Sequence, residues 1–503
     1  MKKEPLSRKL AFGVFYLLSS QIASLGLNVI IVGITARKLG VENFGLYSAI
    51  LSFVGLFQFL TDFGLNKTLL KFGSTDITKA QISFGNALFL KTILAFPTLF
   101  LILFLGILSG YRNEQIIILI LFSLSLIFES FGTVFSSIRR ILGSFKLISF
   151  FRVLKTFISL IVIIIALNKS SSILSLASAI FLMNIVIFVI SFINTVLLLR
   201  PRLRLRIMSQ FLMDSFIFSL NDFFLNIYGR ISTVLLSFFS DLHSVGIFSA
   251  ALRFTKVANL LPNQMKFALL PTMYRILEER DGETAMGRDG DGARRRDGEK
   301  NKEKRVFMIL LKYMIIFATP AAVMIYFFSE QIIHLIFGQK YNLAIPLVQL
   351  FSVFIYLRFI ETPFSLFYIA MNKHANMVYF QGATSFLNVV LNLVLIPSYS
   401  AYGACYATLI SESFFALVLI FAGSKYLIWN TREVFLMLFK PTVAAIIGFT
   451  LTIILFGKSN IVFLVFSLTI FYGLFLFLVK TFNKEDKELF LKIFKGGKDI
   501  TEI

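Results

Sequence analysis

The chain reads as apolar runs of about 20 residues separated by short polar breaks, and a run of that length crosses a bilayer as one helix. Fourteen such runs are expected, near residues 10–35, 44–64, 83–108, 115–138, 147–167, 173–199, 211–238, 245–270, 306–328, 345–370, 374–396, 402–424, 435–456 and 461–480. The runs are continuous and lack the strict alternation of a membrane barrel, so strands are excluded. The expected fold class is an all-α polytopic membrane protein.

Basic residues orient the spans. With the N-terminus inside, the cytoplasmic side takes Lys2, Lys3, Arg8, Lys9, Lys67, Lys71, Lys79, Arg139, Arg140, Lys146 and the alternating Arg200, Arg202, Arg204 and Arg206. The outer side takes only Arg37, Lys38, Arg112, Lys169, Lys340 and Lys458. That asymmetry is the positive-inside pattern. An even number of spans then returns the C-terminus to the cytoplasm. The net charge of +22 is a topology signal and needs no nucleic acid to explain it. The first apolar run is too long for a signal-peptide core and is expected to be retained. A lone cysteine, Cys405, excludes an intramolecular disulfide.

One short pattern returns. Gly45-Leu46-Tyr47-Ser48-Ala49 comes back as Gly246-Ile247-Phe248-Ser249-Ala250, and Leu51 as Leu252, at a constant offset of 201 residues. Each copy follows one apolar run and opens the next. Parallel repeats in a membrane protein point to a transporter with its site between the halves. The expected organisation is an N-terminal lobe (1–205, spans 1–6), a C-terminal lobe (206–430, spans 7–12), two appended spans (431–480) and a cytoplasmic tail (481–503). Residues 280–305 carry five glycines, nine basic and seven acidic residues. They are too polar to bury a core, and a disordered cytoplasmic loop is expected there. Phe490, Leu491, Ile493 and Phe494 fit one face of a short interfacial helix in the tail.

Charged groups inside apolar runs need a reason. A mid-membrane cation costs about 2.5–3.5 kcal/mol on insertion scales. Lys91, Arg230, Arg253, Lys256 and Arg358 must therefore face water or pair with acids. Matching depth along the helices pairs Lys91 with Glu129 and Asp222 with Lys256, and helix spacing pairs Arg358 with Glu361. Glu412 is a further acid for pairing or coupling. Arg230 and Arg253 have no obvious acid at their depth. With Lys256 and Arg358 they form the candidate site for an anion, because a guanidinium fork matches phosphate. Asn259, Asn388 and Asn392 can bond sugar hydroxyls in a wet cavity or bond neighbouring helices. His243, His334 and His374 have no metal-ligand spacing, and no metal or cofactor is expected. No P-loop, dinucleotide fingerprint or nucleophile elbow is present, so an enzyme is not expected and a gradient or flux must drive any transport.

Three stretches carry a family resemblance. They are Ala36-Arg37-Lys38-Leu39-Gly40-Val41-Glu42-Asn43-Phe44-Gly45-Leu46-Tyr47 with Leu60-Thr61-Asp62-Phe63-Gly64-Leu65; Phe337-Gly338-Gln339-Lys340-Tyr341; and Ile396-Pro397-Ser398-Tyr399-Ser400-Ala401-Tyr402-Gly403-Ala404. With the span count, the chain resembles the Wzx-type polysaccharide flippases of the multidrug/oligosaccharidyl-lipid/polysaccharide exporter superfamily. The resemblance implies two six-helix lobes plus two helices. It implies transfer of undecaprenyl-pyrophosphate-linked oligosaccharide across the bacterial inner membrane, through a cationic cavity, for O-antigen or another surface polysaccharide. Membrane lipids, and the polymerase and chain-length proteins of the same pathway, are the implied partners. A peptidoglycan-precursor flippase, a drug/cation antiporter and a membrane polymerase or ligase are the alternatives. The basic mid-membrane balance disfavours the antiporter, and the short outer loops disfavour the polymerase or ligase.

Overall fold

The computed structural model describes residues 6–259, 262–265, 292–371, 373–424, 431–457, 461–482 and 486. The tail residues Phe490, Leu491, Ile493 and Phe494 lie outside them. All regular structure among the described residues is helical. The longer helices are α1 (Leu6–Leu56), α4 (Ile77–Leu108), α5 (Glu114–Ile141), α6 (Phe145–Lys169), α7 (Ile173–Leu198), α8 (Met208–Phe239) and α9 (Leu242–Ala258). They continue with α10 (Gly292–Phe327), α12 (Ile345–Ala370), α13 (His374–Ser424), α14 (Thr431–Phe456) and α15 (Ile461–Leu478). Three short helices interrupt them: α2 (Gln58–Asp62), α3 (Leu65–Gly73) and α11 (Ser329–Ile336).

Two of these helices are double passes. A straight helix of 51 residues would be about 77 Å long, far more than a bilayer core. Helix α1 breaks at Gly40, where φ is 75° and ψ is 174°, a conformation open to glycine alone. Helix α13 breaks at Ser400, φ 49°. A Cβ on Gly403 would stand 2.2 Å from the Leu395 carbonyl oxygen, which only a hairpin at Ser400 allows. With α1 and α13 counted twice, every expected span has a helical counterpart among the described residues. Residues 292–305, expected as part of a disordered loop, instead form the first turns of α10. Arg, Lys and Glu are strong helix formers, and a helix already nucleated by the apolar span extends into them at little cost.

The chain packs as two compact units. Unit 1 comprises Met1–Ala250, Leu335–Tyr341 and Ser385–Ala407; unit 2 comprises Ala251–His334, Asn342–Thr384 and Thr408–Ile503. In unit 1 a core of Leu65, Leu69, Phe84, Leu90, Phe135 and Ile138 joins α3, α4 and α5. In unit 2 Phe307, Ile315, Phe364, Phe367 and Leu419 join α10, α12 and α13. The outward faces are also apolar: Phe96, Phe100, Leu197 and Phe421 are largely exposed. That pattern fits lipid rather than water around the helices. The alternating arginines are strapped down by their backbone. The Arg202 amide donates to the Gln81 carbonyl, 2.9 Å, and the Arg204 amide to Asn86 Oδ1, 3.0 Å. Gly85 lets this strap lie against α4, since a Cβ there would meet the Arg202 carbonyl at 2.3 Å.

Candidate functional site

Unit 1 carries a wall of ion pairs inside its apolar helices. Helix α2 ends in two left-handed residues, Phe63 (φ 43°) and Gly64 (φ 70°). Gly64 is required twice over, because a Cβ would also lie 2.2 Å from the Ser215 carbonyl of α8. This turn presents Asp62 to Lys91 of α4, Nζ to Oδ1 2.7 Å. Lys91 is fully buried and also donates to the Ser130 carbonyl at 2.8 Å. Asn66 donates to Asp62 and to Thr133 Oγ1, closing the network.

The neighbouring pairs are more open. Lys155 of α6 meets Glu129 of α5 at 2.7 Å, and half of the Glu129 side chain is exposed. Lys67 of α3 meets Asp222 of α8 at 2.6 Å. Arg230 of α8 donates to Gln58 Oε1 at 2.9 Å and lies within electrostatic reach of Glu129. Its guanidinium rests where a Gly55 side chain would be, 2.1 Å from an ideal Cβ. Ion pairs that stay partly exposed among membrane helices are tolerated against water rather than lipid.

The expected pairings are corrected in two places. Lys91 is held by Asp62, and Glu129 by Lys155. Asp222 is held by Lys67, with Lys256 exposed on α9 in unit 2. Depth along a helix gives one coordinate only. Lys91 and Lys155 both match the depth of Glu129, and it is the direction each side chain leaves its helix that decides. Arg358 does pair with Glu361, at 2.6 Å, and also with Glu412, Nε to Oε1 2.5 Å. Both glutamates are fully buried, so this triad is a packed feature of unit 2. Arg253 is half-buried on α9, and Asn259 Nδ2 donates to the Thr255 carbonyl, 2.9 Å. Asn388 and Asn392 are fully buried, and Asn392 donates to Ser232 Oγ of α8 at 3.1 Å. Asn392 also donates to Asn388 Oδ1 at 3.1 Å, and neither buried amide offers an accessible face to a sugar. Asp62, Lys67 and Lys155 are the wall residues that the sequence reading left out of the site.

A second region of unit 1 is held by close backbone contact. The two copies of the repeat cross at their glycines. A Cβ on Gly45 would lie 1.9 Å from the Leu242 carbonyl oxygen, and one on Gly246 would lie 2.2 Å from the Val41 carbonyl oxygen. Val41 and Leu242 are themselves one repeat apart, so the contact is reciprocal, as in a twofold interface. The repeat serines behave alike: Ser48 and Ser249 are buried, and neither hydroxyl has a hydrogen-bond partner among the described residues. Tyrosines latch the same end. Tyr341 donates to the Ala36 carbonyl at 3.1 Å. Tyr111 faces Ser237, whose own hydrogen goes to the Val234 carbonyl, 2.7 Å. Ala36 and Ser237 are again one repeat apart. Arg37 spends its guanidinium on the carbonyls of Leu335 (2.5 Å) and Ile336 (3.1 Å). Ser240 and Ser400 share a hydrogen bond of 2.5 Å. Asp241 caps α9 by accepting from the Ser244 amide, 2.7 Å, and hydrogen bonds from the Ser244 hydroxyl and amide hold its carboxyl below the usual range.

The described residues thus form a many-pass helical bundle with an internal parallel repeat and a wall of ion pairs. A family model described as polysaccharide biosynthesis protein matches residues 10–277, more than half of the chain. The chain belongs to that family. No curated protein matches it. Among solved structures it is similar to a lipid II flippase, MurJ, in an inward closed conformation: TM-score 0.73, 15% identity, covering 91% of this chain and 97% of that one. It is also similar to an inward-facing multidrug resistance MATE family transporter of the MOP superfamily: TM-score 0.61, 16% identity, covering 82% of this chain and 97% of that one. At those identities the likeness is one of fold.

Proposed function

We propose that the protein is a flippase that carries undecaprenyl-pyrophosphate-linked oligosaccharide from the inner to the outer leaflet of the bacterial cytoplasmic membrane for surface polysaccharide synthesis. The charged wall of unit 1 carries this reading. Lys67, Lys91, Lys155 and Arg230 stand there against Asp62, Glu129 and Asp222. A pyrophosphate-linked sugar cannot enter hydrocarbon unaided, and a wall of cations and amides replaces its hydration while the polyprenyl chain stays in the bilayer. Arg230, with Lys155 beside it on the same carboxylate, takes the phosphate role in unit 1. Arg253 and Lys256 take it in unit 2, and Arg358 is the structural member there. The glycine-built seam closes the end that the basic loops assign to the outside. Parting of the two repeat copies at that seam is the outward step of alternating access. The lobes at 1–205 and 206–430 are the moving bodies in this scheme. Polymerase and chain-length proteins would then use the delivered glycan.

The test is complementation of a strain lacking its own polysaccharide flippase. Arg230→Gln and Arg253→Ala should each lower surface glycan at least about tenfold with normal protein in the membrane. That is the loss expected when a charge-assisted contact of about 1.5–3 kcal/mol is removed. Normal export in both variants would refute the phosphate assignment. Rescue of a strain depleted of its peptidoglycan-precursor flippase, with no effect on surface glycan, would favour the precursor-flippase alternative.

A further inference from the structure

Unit 2 holds a cavity of about 590 Å³ that the transport reading does not use. It lies where the first membrane turns of α10, the start of α14 and the segment after α15 come together. Its floor is a buried polar group. Lys312 is ion-paired with Asp486, and the Tyr313 hydroxyl donates to the same carboxylate at 3.1 Å. Beside them Thr481 is buried, and its hydroxyl has no hydrogen-bond partner among the described residues. A buried hydroxyl left unpaired costs about 1–3 kcal/mol, so a position that keeps one in a cavity wall calls for a ligand. The rim is basic: Lys304, Arg305 and Lys440, set against Glu433. Lys440 is steadied by donating to the Lys480 carbonyl, 3.0 Å. The remaining wall is apolar, with Met308, Ile309 and Met437, and it includes Leu436, which is exposed on α14.

A hydroxyl at the bottom, cations at the rim and an apolar exit match one kind of molecule, an amphiphile with an anionic phosphate head. The cavity sits at the membrane end that the basic loops face, where anionic lipids concentrate. We propose that it is a binding site for the headgroup of an anionic glycerophospholipid of the cytoplasmic leaflet. The Thr481 hydroxyl donates to a phosphate oxygen. Lys304, Arg305 and Lys440 neutralise the charge, and an acyl chain leaves along Leu436. The site is built from residues of unit 2 alone, whereas the wall and the seam belong to unit 1, and it stands whatever the translocated cargo is.

The test uses the full-length protein in phosphatidylcholine nanodiscs with rising phosphatidylglycerol. Native mass spectrometry counts retained lipid, and thermal unfolding reads stabilisation. The wild type should retain phosphatidylglycerol and unfold at a higher temperature as its fraction rises. Lys304→Gln and Lys440→Gln should each weaken retention about fivefold, the size expected for one basic residue at an anionic surface. Thr481→Val removes the hydroxyl at constant shape. It should weaken retention while leaving stability in pure phosphatidylcholine unchanged or higher, because no protein partner is lost. Equal retention by wild type and all three variants would overturn the proposal. So would inorganic phosphate that reproduces the stabilisation in pure phosphatidylcholine, since the ligand would then be a free anion rather than a lipid.

Discussion

The wall and the seam of unit 1 are built by opposite means. The wall is specified by charge. Lys91, Asp62, Lys155 and Glu129 meet through long side chains that tolerate small shifts. The seam is specified by the missing Cβ atoms of Gly45 and Gly246 and by carbonyls that accept from Tyr341 and Arg37. A region that handles an ionic cargo needs charge and water. In the proposed cycle the seam parts and re-forms, which calls for close backbone contact that commits little energy to any single bond. The comparison therefore predicts which substitutions each region tolerates. The wall should be sensitive to charge and lenient on size, and the seam the reverse.

The largest effect on stability is expected at Asp62. Asp62→Asn strands the fully buried Lys91 and should cost about 3–5 kcal/mol, the usual loss when one partner of a buried pair is removed. Thermal unfolding in detergent measures it. The double variant Asp62→Leu with Lys91→Met should recover most of the loss, because a buried pair exchanged for apolar groups of similar volume is often neutral. Glu129→Gln should leave the Lys91 network untouched. If Glu129→Gln destabilises as much as Asp62→Asn, the two networks are one and the distinction between closed and open pairs fails.

That experiment also marks how far the residues could be read without coordinates. The spans were legible because a bilayer imposes length and polarity on each helix separately, one run at a time. The repeat was legible at Gly45 and Gly246 because an unusual local packing demand recurs in the letters. Arg358 and Glu361 were legible because spacing on one helix fixes both depth and direction. Lys91 and Glu129 were not, because pairing between helices depends on rotation about each axis, which apolar runs on all faces leave undefined. Asp62 was hidden for a further reason. The left-handed turn at Phe63 and Gly64 bends the second span, so counting residues from its end misplaces the carboxylate. The buried cation Lys312 escaped because its acid, Asp486, lies in the polar segment beyond the last span, where depth cannot be counted.

At the seam the expected effects are smaller. Gly246→Ala places a Cβ against the backbone carbonyl of Val41, which no rotamer can relieve. Overpacking of this kind costs about 1–3 kcal/mol. Gly45→Ala should cost a similar amount. Because the two contacts are reciprocal, the first methyl already parts the helices, and the double variant should lose clearly less than the sum of the single losses. Unfolding midpoints of the four proteins give the cycle. Strict additivity would mean that the glycines act separately and that the crossing is not a shared contact.

The smallest effect belongs to the latching tyrosines, and it separates a latch from a scaffold. Tyr341→Phe removes one hydrogen bond, and the Ala36 carbonyl it leaves belongs to a helix. The loss should fall within about 0.5–1.5 kcal/mol. Tyr111→Phe should cost no more, since Ser237 keeps its bond to Val234. Such changes barely alter folding, yet they weaken the closed form relative to one with the seam parted. A difference of about 1 kcal/mol multiplies the open population roughly fivefold. Ser48 is buried in the seam, so a cysteine placed there, with Cys405→Ala to remove the native thiol, reports parting directly. A membrane-impermeant maleimide added from outside should label Ser48→Cys about fivefold faster when Tyr341→Phe is present. Labelling that is unchanged, with the tyrosine bond demonstrably lost, would mean that the glycine crossing alone holds the seam. The tyrosines would then be fixtures of the outer loops rather than part of what opens.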